Sequence, residues 1–202
     1  MKLLYEAISM TSRILGFTYF YNPSHNSEII EYFTENIWLE EWPYGTVNEK
    51  KEINVFFNQK NFENESIEQA YKRLFVGPEL LAAPPWGSVY LDQENVLFGW
   101  STIELRNWMH ENNIENLLLC SEPEDHFGLM LMLVSWVAEN NPNKLNELLN
   151  EHLLPWGSRY LEKLFACSDF PFYEGIAILT KLTLKSWQED LNLQPAKKEL
   201  FF

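Results

Sequence analysis

The sequence predicts an all-α fold, and three observations carry that expectation. Apolar residues recur at three- and four-residue steps in nearly every segment, which is the period of one helix face. Capping boxes and prolines fall at the edges of those segments, where helices start and stop. No stretch sustains the alternation of a half-buried strand, and Ser88-Val89-Tyr90-Leu91 is expected to be at most a brief extended piece. About eight or nine helices are expected in one globular domain over 1–202. The alternative is an N-terminal lobe 1–112 and a C-terminal lobe 122–202 that share one core.

The elements follow in order. Leu4, Ala7, Ile8, Thr11, Ile14, Leu15 and Thr18 line a first helix, which Asn22-Pro23 stops because the residue before proline avoids the helical region. A second runs from Ser27 through Ile29, Ile30, Phe33 and Ile37 toward Trp42-Pro43, and a third carries Ile53, Phe56 and Phe57. Ser66-Ile67-Glu68-Gln69 has capping-box spacing and opens a helix with Ala70, Tyr71, Leu74 and Phe75. Ser101-Thr102-Ile103-Glu104 repeats that spacing ahead of Leu105, Trp108 and Met109, and Asn112-Asn113 ends the helix. Pro123 is expected at the first position of the next helix, which is apolar as far as Ala138. A short helix over about Leu145 to Leu153, another after Pro155, and a last one capped at Asp169-Phe170-Pro171 and reaching Trp187 complete the chain.

The segment from Val76 to Gly99 breaks the helical pattern. Gly77-Pro78, Pro84-Pro85-Trp86-Gly87 and Leu97-Phe98-Gly99 make it a stiff loop that displays apolar side chains, a type usually found as a lid or binding loop. Part of it echoes later. Pro85-Trp86-Gly87-Ser88-Val89-Tyr90-Leu91 returns 70 residues on as Pro155-Trp156-Gly157-Ser158-Arg159-Tyr160-Leu161. The flanks do not match, so the echo reads as two uses of one local solution, with proline fixing a turn and tryptophan anchoring it in the core.

Composition narrows the function classes. The 29 acidic and 15 basic residues leave a formal charge of −14, which repels phosphate backbones and argues against nucleic-acid binding. The same surface attracts cationic peptides. Cys120 and Cys167 form no CxxC pair, so neither a disulfide framework nor a zinc ribbon is indicated. The N-terminal residues lack the apolar run of a secretory leader, and no run approaches the ~20 apolar residues that span a bilayer. The expected location is cytoplasmic, with no stable membrane insertion.

Glu122-Pro123-Glu124-Asp125-His126 is the densest block of ionisable chemistry. Carboxylates and a proline suit a helix start, but three acids and a histidine exceed what a cap needs. The block has three candidate uses: a metal site, an acid/base pair, or a seat for a cationic partner. Glu122 and His126 are four apart, a spacing that shares a helix face and makes them the best metal candidates; with Asp125 they would serve a metal-dependent hydrolase. His25, His110 and His152 offer no pairing at ligand spacing, and the nucleophile elbow, phosphate loop, dinucleotide fingerprint and zincin motif are all missing. Trp86, Trp108, Trp136, Trp156 and Trp187, like Met130 and Met132, read as packing residues and not as a cofactor box.

Tyr71-Lys72-Arg73-Leu74-Phe75-Val76-Gly77-Pro78, the loop Pro84–Gly99, the block Glu122–Gly128 and His152-Leu153-Leu154-Pro155-Trp156 resemble the TorD/DmsD family of chaperones that serve exported molybdenum oxidoreductases. The likeness runs from Arg13-Ile14-Leu15-Gly16 to Leu182-Thr183-Leu184, and the PPWGSVYLD loop places it nearest the DmsD branch. The resemblance implies an all-helical, non-enzymatic protein that binds the twin-arginine signal peptide of a catalytic subunit, that of dimethyl sulfoxide reductase for this branch. It also implies that export is held back until the cofactor is loaded and the enzyme folded. Contact with components of the Tat translocase is implied as well. No cofactor is expected, although guanine-nucleotide binding is associated with some relatives, and relatives can exchange halves between chains. The leader-binding positions implied are Tyr71, Leu74, Phe75, Trp86, Gly87, Tyr90, Gly99, Pro123, Asp125 and His126. Two positions depart from the pattern: Tyr71 replaces a tryptophan, and Glu79 stands where an aromatic is expected. In the mechanism this suggests, Glu122, Glu124 and Asp125 receive the arginines in two-point hydrogen bonds while Leu74, Phe75 and the loop cover the apolar stretch.

Overall fold

A computed structural model describes residues 2–59, 65–115 and 122–202, and these form helices joined by loops, with one isolated β-bridge and no strand. The first pair sets the frame. Helix α1 (Lys2–Phe20) packs along α8 (Phe127–Asn140), with Gly16 facing Gly128 at one end and the Ser9 and Ser135 hydroxyls 2.9 Å apart at the other, so the two run antiparallel. A Cβ on Gly128 would lie 2.9 Å from the Gly16 carbonyl oxygen. The crossing therefore exists only because both positions lack side chains.

Between them in sequence lie α2 (Ser27–Thr34), α3 (Trp38–Glu41), α4 (Val47–Phe57), α5 (Ile67–Tyr71), α6 (Gly87–Leu91) and α7 (Trp100–Glu111). The expected second helix is thus two, because Asn36 takes φ 65° and breaks the run before Trp38. The Ser66 capping box forms as its spacing predicts, with the Ser66 hydroxyl accepting from the Gln69 amide and the Gln69 side chain accepting from the Ser66 amide. The helix it opens continues past Tyr71 as a π turn over Lys72–Val76 and stops at Gly77, where φ is 92°.

The C-terminal half is α9 (Leu145–Leu148), a second π turn over Leu149–Leu153, α10 (Leu154–Cys167) and α11 (Pro171–Asp190). Pro171 is the first residue of α11 as expected, but Phe170 is the flanking residue and Asp169 supplies a left-handed turn at φ 45° instead of a side-chain cap. Helix α11 is the central element. Its Thr180 hydroxyl meets the Tyr19 hydroxyl of α1 at 3.0 Å, its Thr183 accepts from the Trp42 indole at 3.1 Å, and Gly175 lets the Phe57 ring of α4 approach closely.

Trp108, Trp156 and Trp187 are buried, as their spacing suggests, whereas Trp86 is half-buried and Trp136 lies exposed on α8. Met130 is fully buried and Met132 packs near Gly16, so both methionines serve packing. A chain of rings leads outward from this core: Tyr19 meets Phe127 edge-on at 5.0 Å, Phe127 meets Trp156 at 5.6 Å, and Trp156 stacks on Tyr90 at 5.4 Å. After α11 the chain lies extended over the surface of the bundle. The Ala196 amide donates to the Asn150 carbonyl and the Phe201 amide to the Tyr90 carbonyl, both at 2.9 Å. Phe202 then sits edge-on to Tyr90, with the Lys163 ammonium 4.1 Å from its ring centre.

Candidate functional site

The acidic block is a turn and not the first turn of a helix. Helix α8 starts at Phe127, and its cap is His126, whose Nδ1 accepts the Gly128 amide at 3.1 Å. Pro123 therefore lies outside the helix it was expected to open, and Glu122 and His126 do not share a helix face. The reason is local. An accepting imidazole can cap a helix much as an Asn side chain does, so the start moves to the residue after it.

The turn is pinned to the loop Pro84–Gly87. Trp86 and His126 form an antiparallel bridge, with the Gly87 amide donating to the Asp125 carbonyl at 3.1 Å and the Phe127 amide to the Pro85 carbonyl at 2.6 Å. Residues 87–91, expected to be loop with a brief extended piece, form α6 instead. A helix of five residues is too short to hold itself. Asp125 explains it: its Oδ2 accepts the Ser88 amide at 2.6 Å, so a carboxylate 37 residues away supplies the missing cap. Local periodicity carries no trace of such a cap.

Asp125 is only 4% exposed, and its Oδ1, the Ser88 hydroxyl and the Thr102 hydroxyl are all buried without a full hydrogen bond. Burial pushes the Asp125 carboxyl above its ordinary range, while the Ser88 amide and the nearby Ser88 and Thr102 hydroxyls pull the other way. His126 is wholly enclosed between the rings of Phe20 and Trp86, and burial drops its pKa to about 3, so it is a neutral imidazole with its proton on Nε2.

The other two acids of the turn are half-buried, and each is bonded to a neighbouring side chain. Glu122 accepts from the Trp86 indole at 2.5 Å. Glu124 takes the guanidinium of Arg106 on α7 in a two-point pair, Nε to Oε1 at 3.0 Å and Nη2 to Oε2 at 2.7 Å. Each functional group of the turn thus points a different way, and among the described residues no three metal-ligating side chains converge. Cys120 lies outside the described residues; Cys167 is a half-buried free thiol whose pKa burial raises.

The remaining candidate positions fall into two groups. Tyr71, at the end of α5, and Leu74 and Phe75 of the π turn line the buried side, with the Tyr71 hydroxyl donating to the Phe20 carbonyl and the Phe75 ring edge-on to Tyr19 and Tyr173. Tyr90 is fully buried and Gly87 is closed off by the Trp156 ring, so both belong to the wall behind the surface. Trp86 and Gly99 are half-exposed. The two echoed heptads meet here. Gly87 of the first lies under Trp156 of the second, and Tyr90 meets its counterpart Tyr160 edge-on at 6.2 Å.

The loop after α6 carries a feature that sequence reasoning noted only as apolar. Val96, Leu97 and Phe98 are exposed, and Trp100 at the start of α7 is 68% exposed. The loop is nonetheless well tethered: Asn95 donates from its side chain to the Val89 carbonyl at 2.7 Å, and Asp92 accepts the Ser101 hydroxyl at 3.0 Å and its amide at 3.2 Å. Asp92, and not the predicted Ser101–Glu104 box, is therefore what caps α7. A Cβ on Gly99 would lie 2.1 Å from Asp92 Oδ2, so any side chain there would push this cap aside.

Residues 40–162 match the family model described as nitrate reductase delta subunit. A Tat proofreading chaperone DmsD from Salmonella paratyphi A is 42% identical over 199 residues, covering 97% of this chain and 96% of its own. A probable Tat proofreading chaperone DmsD from Haemophilus influenzae is 39% identical, with 93% of each chain covered. The chain belongs to the TorD/DmsD family. The chaperone protein YcdY of Escherichia coli is 28% identical over 91% of this chain. The all-helical architecture expected of the family is the one found here.

Proposed function

We propose that this chain is a chaperone that binds the twin-arginine signal peptide of a molybdenum oxidoreductase catalytic subunit and holds back Tat export until cofactor insertion and folding are complete. Dimethyl sulfoxide reductase is the client that best fits the DmsD branch. The observation that carries the reading is the near-full-length likeness to proteins named Tat proofreading chaperones. The geometry supports it. An aromatic loop is clasped to an acidic turn, and that turn already holds one guanidinium in the two-point manner a leader arginine requires.

Within this reading the ten candidate positions, with Glu122 and Glu124 beside them, divide by role. Glu122 and Glu124, with the half-exposed Trp86 and Gly99, meet the peptide. Tyr71, Leu74, Phe75, Gly87, Tyr90, Pro123, Asp125 and His126 hold the surface in shape from behind. The metal-dependent hydrolase reading centred on Glu122, Asp125 and His126 loses its geometry, since their side-chain bonds run to the Trp86 indole, the Ser88 amide and the Gly128 amide.

Pull-down from cells with identification of the bound precursor tests the role. Recovery of a molybdoenzyme precursor bearing its leader is expected, and recovery of no such precursor would overturn it. Calorimetry with the leader peptide, against one whose arginine pair is replaced by lysines, tests the two-point recognition.

A further inference from the structure

The surface that receives a leader needs an apolar tract beside an anionic end, and one stretch of this molecule has both. Residues Val96, Leu97, Phe98, Trp100 and Ile103 are all exposed, although each is large and apolar. Scattered apolar residues on a surface are ordinary; five within eight positions are a patch. Phe98 also holds φ 59°, a costly conformation for a bulky residue, which persists because Asp92 and Asn95 fix the loop on either side.

Helix α7 connects this patch to the acids. Trp100 and Ile103 are three apart, so they share a face, and the next turn brings Arg106 with its pair to Glu124. From Trp100 to Arg106 the helix rises about 9 Å, at 1.5 Å per residue. An extended peptide crosses that distance in roughly three residues. Glu94 and Glu104 flank the apolar tract, while the cations near it, Arg106 and Lys198, are already paired to Glu124 and Glu104.

Building on the leader-binding role, we infer that the outer face of α7 and the loop Val96–Trp100 are the seat of the leader's apolar stretch. Its arginine pair lies at Glu122 and Glu124, and the peptide runs from there toward Phe98. This moves the apolar contact away from Leu74, Phe75 and Tyr90, which are at most 5% exposed. Charge fixes the direction. The reverse orientation lays the apolar stretch over the carboxylates of the turn, a mismatch that costs desolvation without a partner.

The test is calorimetry with the leader peptide of the dimethyl sulfoxide reductase catalytic subunit, using the native chain and the variant Leu97→Ser/Phe98→Asn/Trp100→Ala. Asn tolerates positive φ and all three side chains are exposed, so unchanged circular dichroism and melting temperature are expected. The variant is expected to bind the whole leader at least tenfold more weakly, yet to match the native chain on a peptide trimmed to its arginine-bearing end. Equal affinity for the whole leader overturns the seat while leaving the chaperone role intact. No binding of either peptide by the native chain overturns that role, and the seat with it. A native dimer that the variant dissolves without loss of leader affinity assigns the patch to a second copy of this chain and overturns the proposal. A photoreactive residue beside the arginine pair is expected to label α7 near Arg106, and one in the apolar stretch to label Val96–Trp100; the reversed pattern overturns the direction.

Discussion

Asp125 Oδ2 lies 2.6 Å from the Ser88 amide and holds the start of α6, a helix reached from it only through space. The carboxylate that seemed the natural seat for an arginine is therefore already engaged, and it is enclosed. Its removal is expected to act on the loop first and on the peptide second.

Asp125→Ala is expected to cost about 1–2 kcal/mol in stability, the usual price of losing a helix cap or a buried hydrogen bond. Asp125→Asn is expected to be at least as stable as the native chain near neutral pH. It keeps an acceptor for Ser88 and gains a donor for the Ser88 and Thr102 hydroxyl oxygens, which have no full hydrogen bond of their own. Denaturant titration checks the order, and calorimetry checks its consequence. Asn should bind leader within about twofold of native if Asp125 only positions α6, since a retained structure leaves ΔG of binding nearly unchanged. A direct charge contact predicts a loss of 2 kcal/mol or more, roughly thirtyfold.

Acid is expected to destabilise the protein through His126. The folded pKa of about 3 lies below the ordinary 6.5, so the unfolded chain binds the extra proton between those values. This contribution to stability is fully present above pH 6.5 and is lost as pH falls toward 3, at up to about 1.4 kcal/mol per pH unit for one proton. His152, held down to about 4 chiefly by burial, adds a slope of the same sign. Asp125 opposes both, because a raised carboxyl favours the folded state as pH falls. His126→Asn preserves an acceptor for the Gly128 amide and is expected to flatten the pH dependence of unfolding below 6.5; an unchanged slope would mean that His126 is not buried as a neutral ring.

Arg106→Ala is expected to lower stability by about 1–3 kcal/mol, because the Glu124 side of the pair is only 14% exposed and loses its charged hydrogen bonds. It is expected to raise leader affinity severalfold at low salt by removing a guanidinium that competes with the leader's arginines at Glu124. Lower affinity on calorimetry would show instead that Arg106 itself touches the peptide.

Gly87→Ala is expected to destabilise by about 1–3 kcal/mol, the cost of overpacking a close contact. The new Cβ would stand 3.0 Å from the Trp156 indole. Near-ultraviolet circular dichroism should change with it, since Trp156 stacks on Tyr90, and an unaltered spectrum would show that the ring gives way freely.

Most helices were legible because each carries its own stripe of apolar residues, and the Ser66 cap was legible because both partners lie within one turn. Helix α6 was not. Its cap comes from Asp125 and its rings pack on the second copy of the heptad, so nothing local distinguishes it from a loop. The same gap explains Pro123 and Ser101. Proline and serine spacing pointed to helix starts, but His126 and Asp92 made better caps from nearby positions. In the site, residue types were readable and exposure was not: Tyr90 and Phe98 look alike in sequence, and only packing tells which one faces water.

The last residues bear on α6 in one further way. With its first turn tied to Asp125 and its final carbonyls reached by the Phe201 amide, the helix has almost no stability of its own and draws on two distant segments. Its local opening free energy is therefore set by whichever tether lets go first. Hydrogen exchange at Val89–Leu91 would read out the detachment of residues 196–202, and tension on that end of the chain would be felt at the loop that carries Phe98.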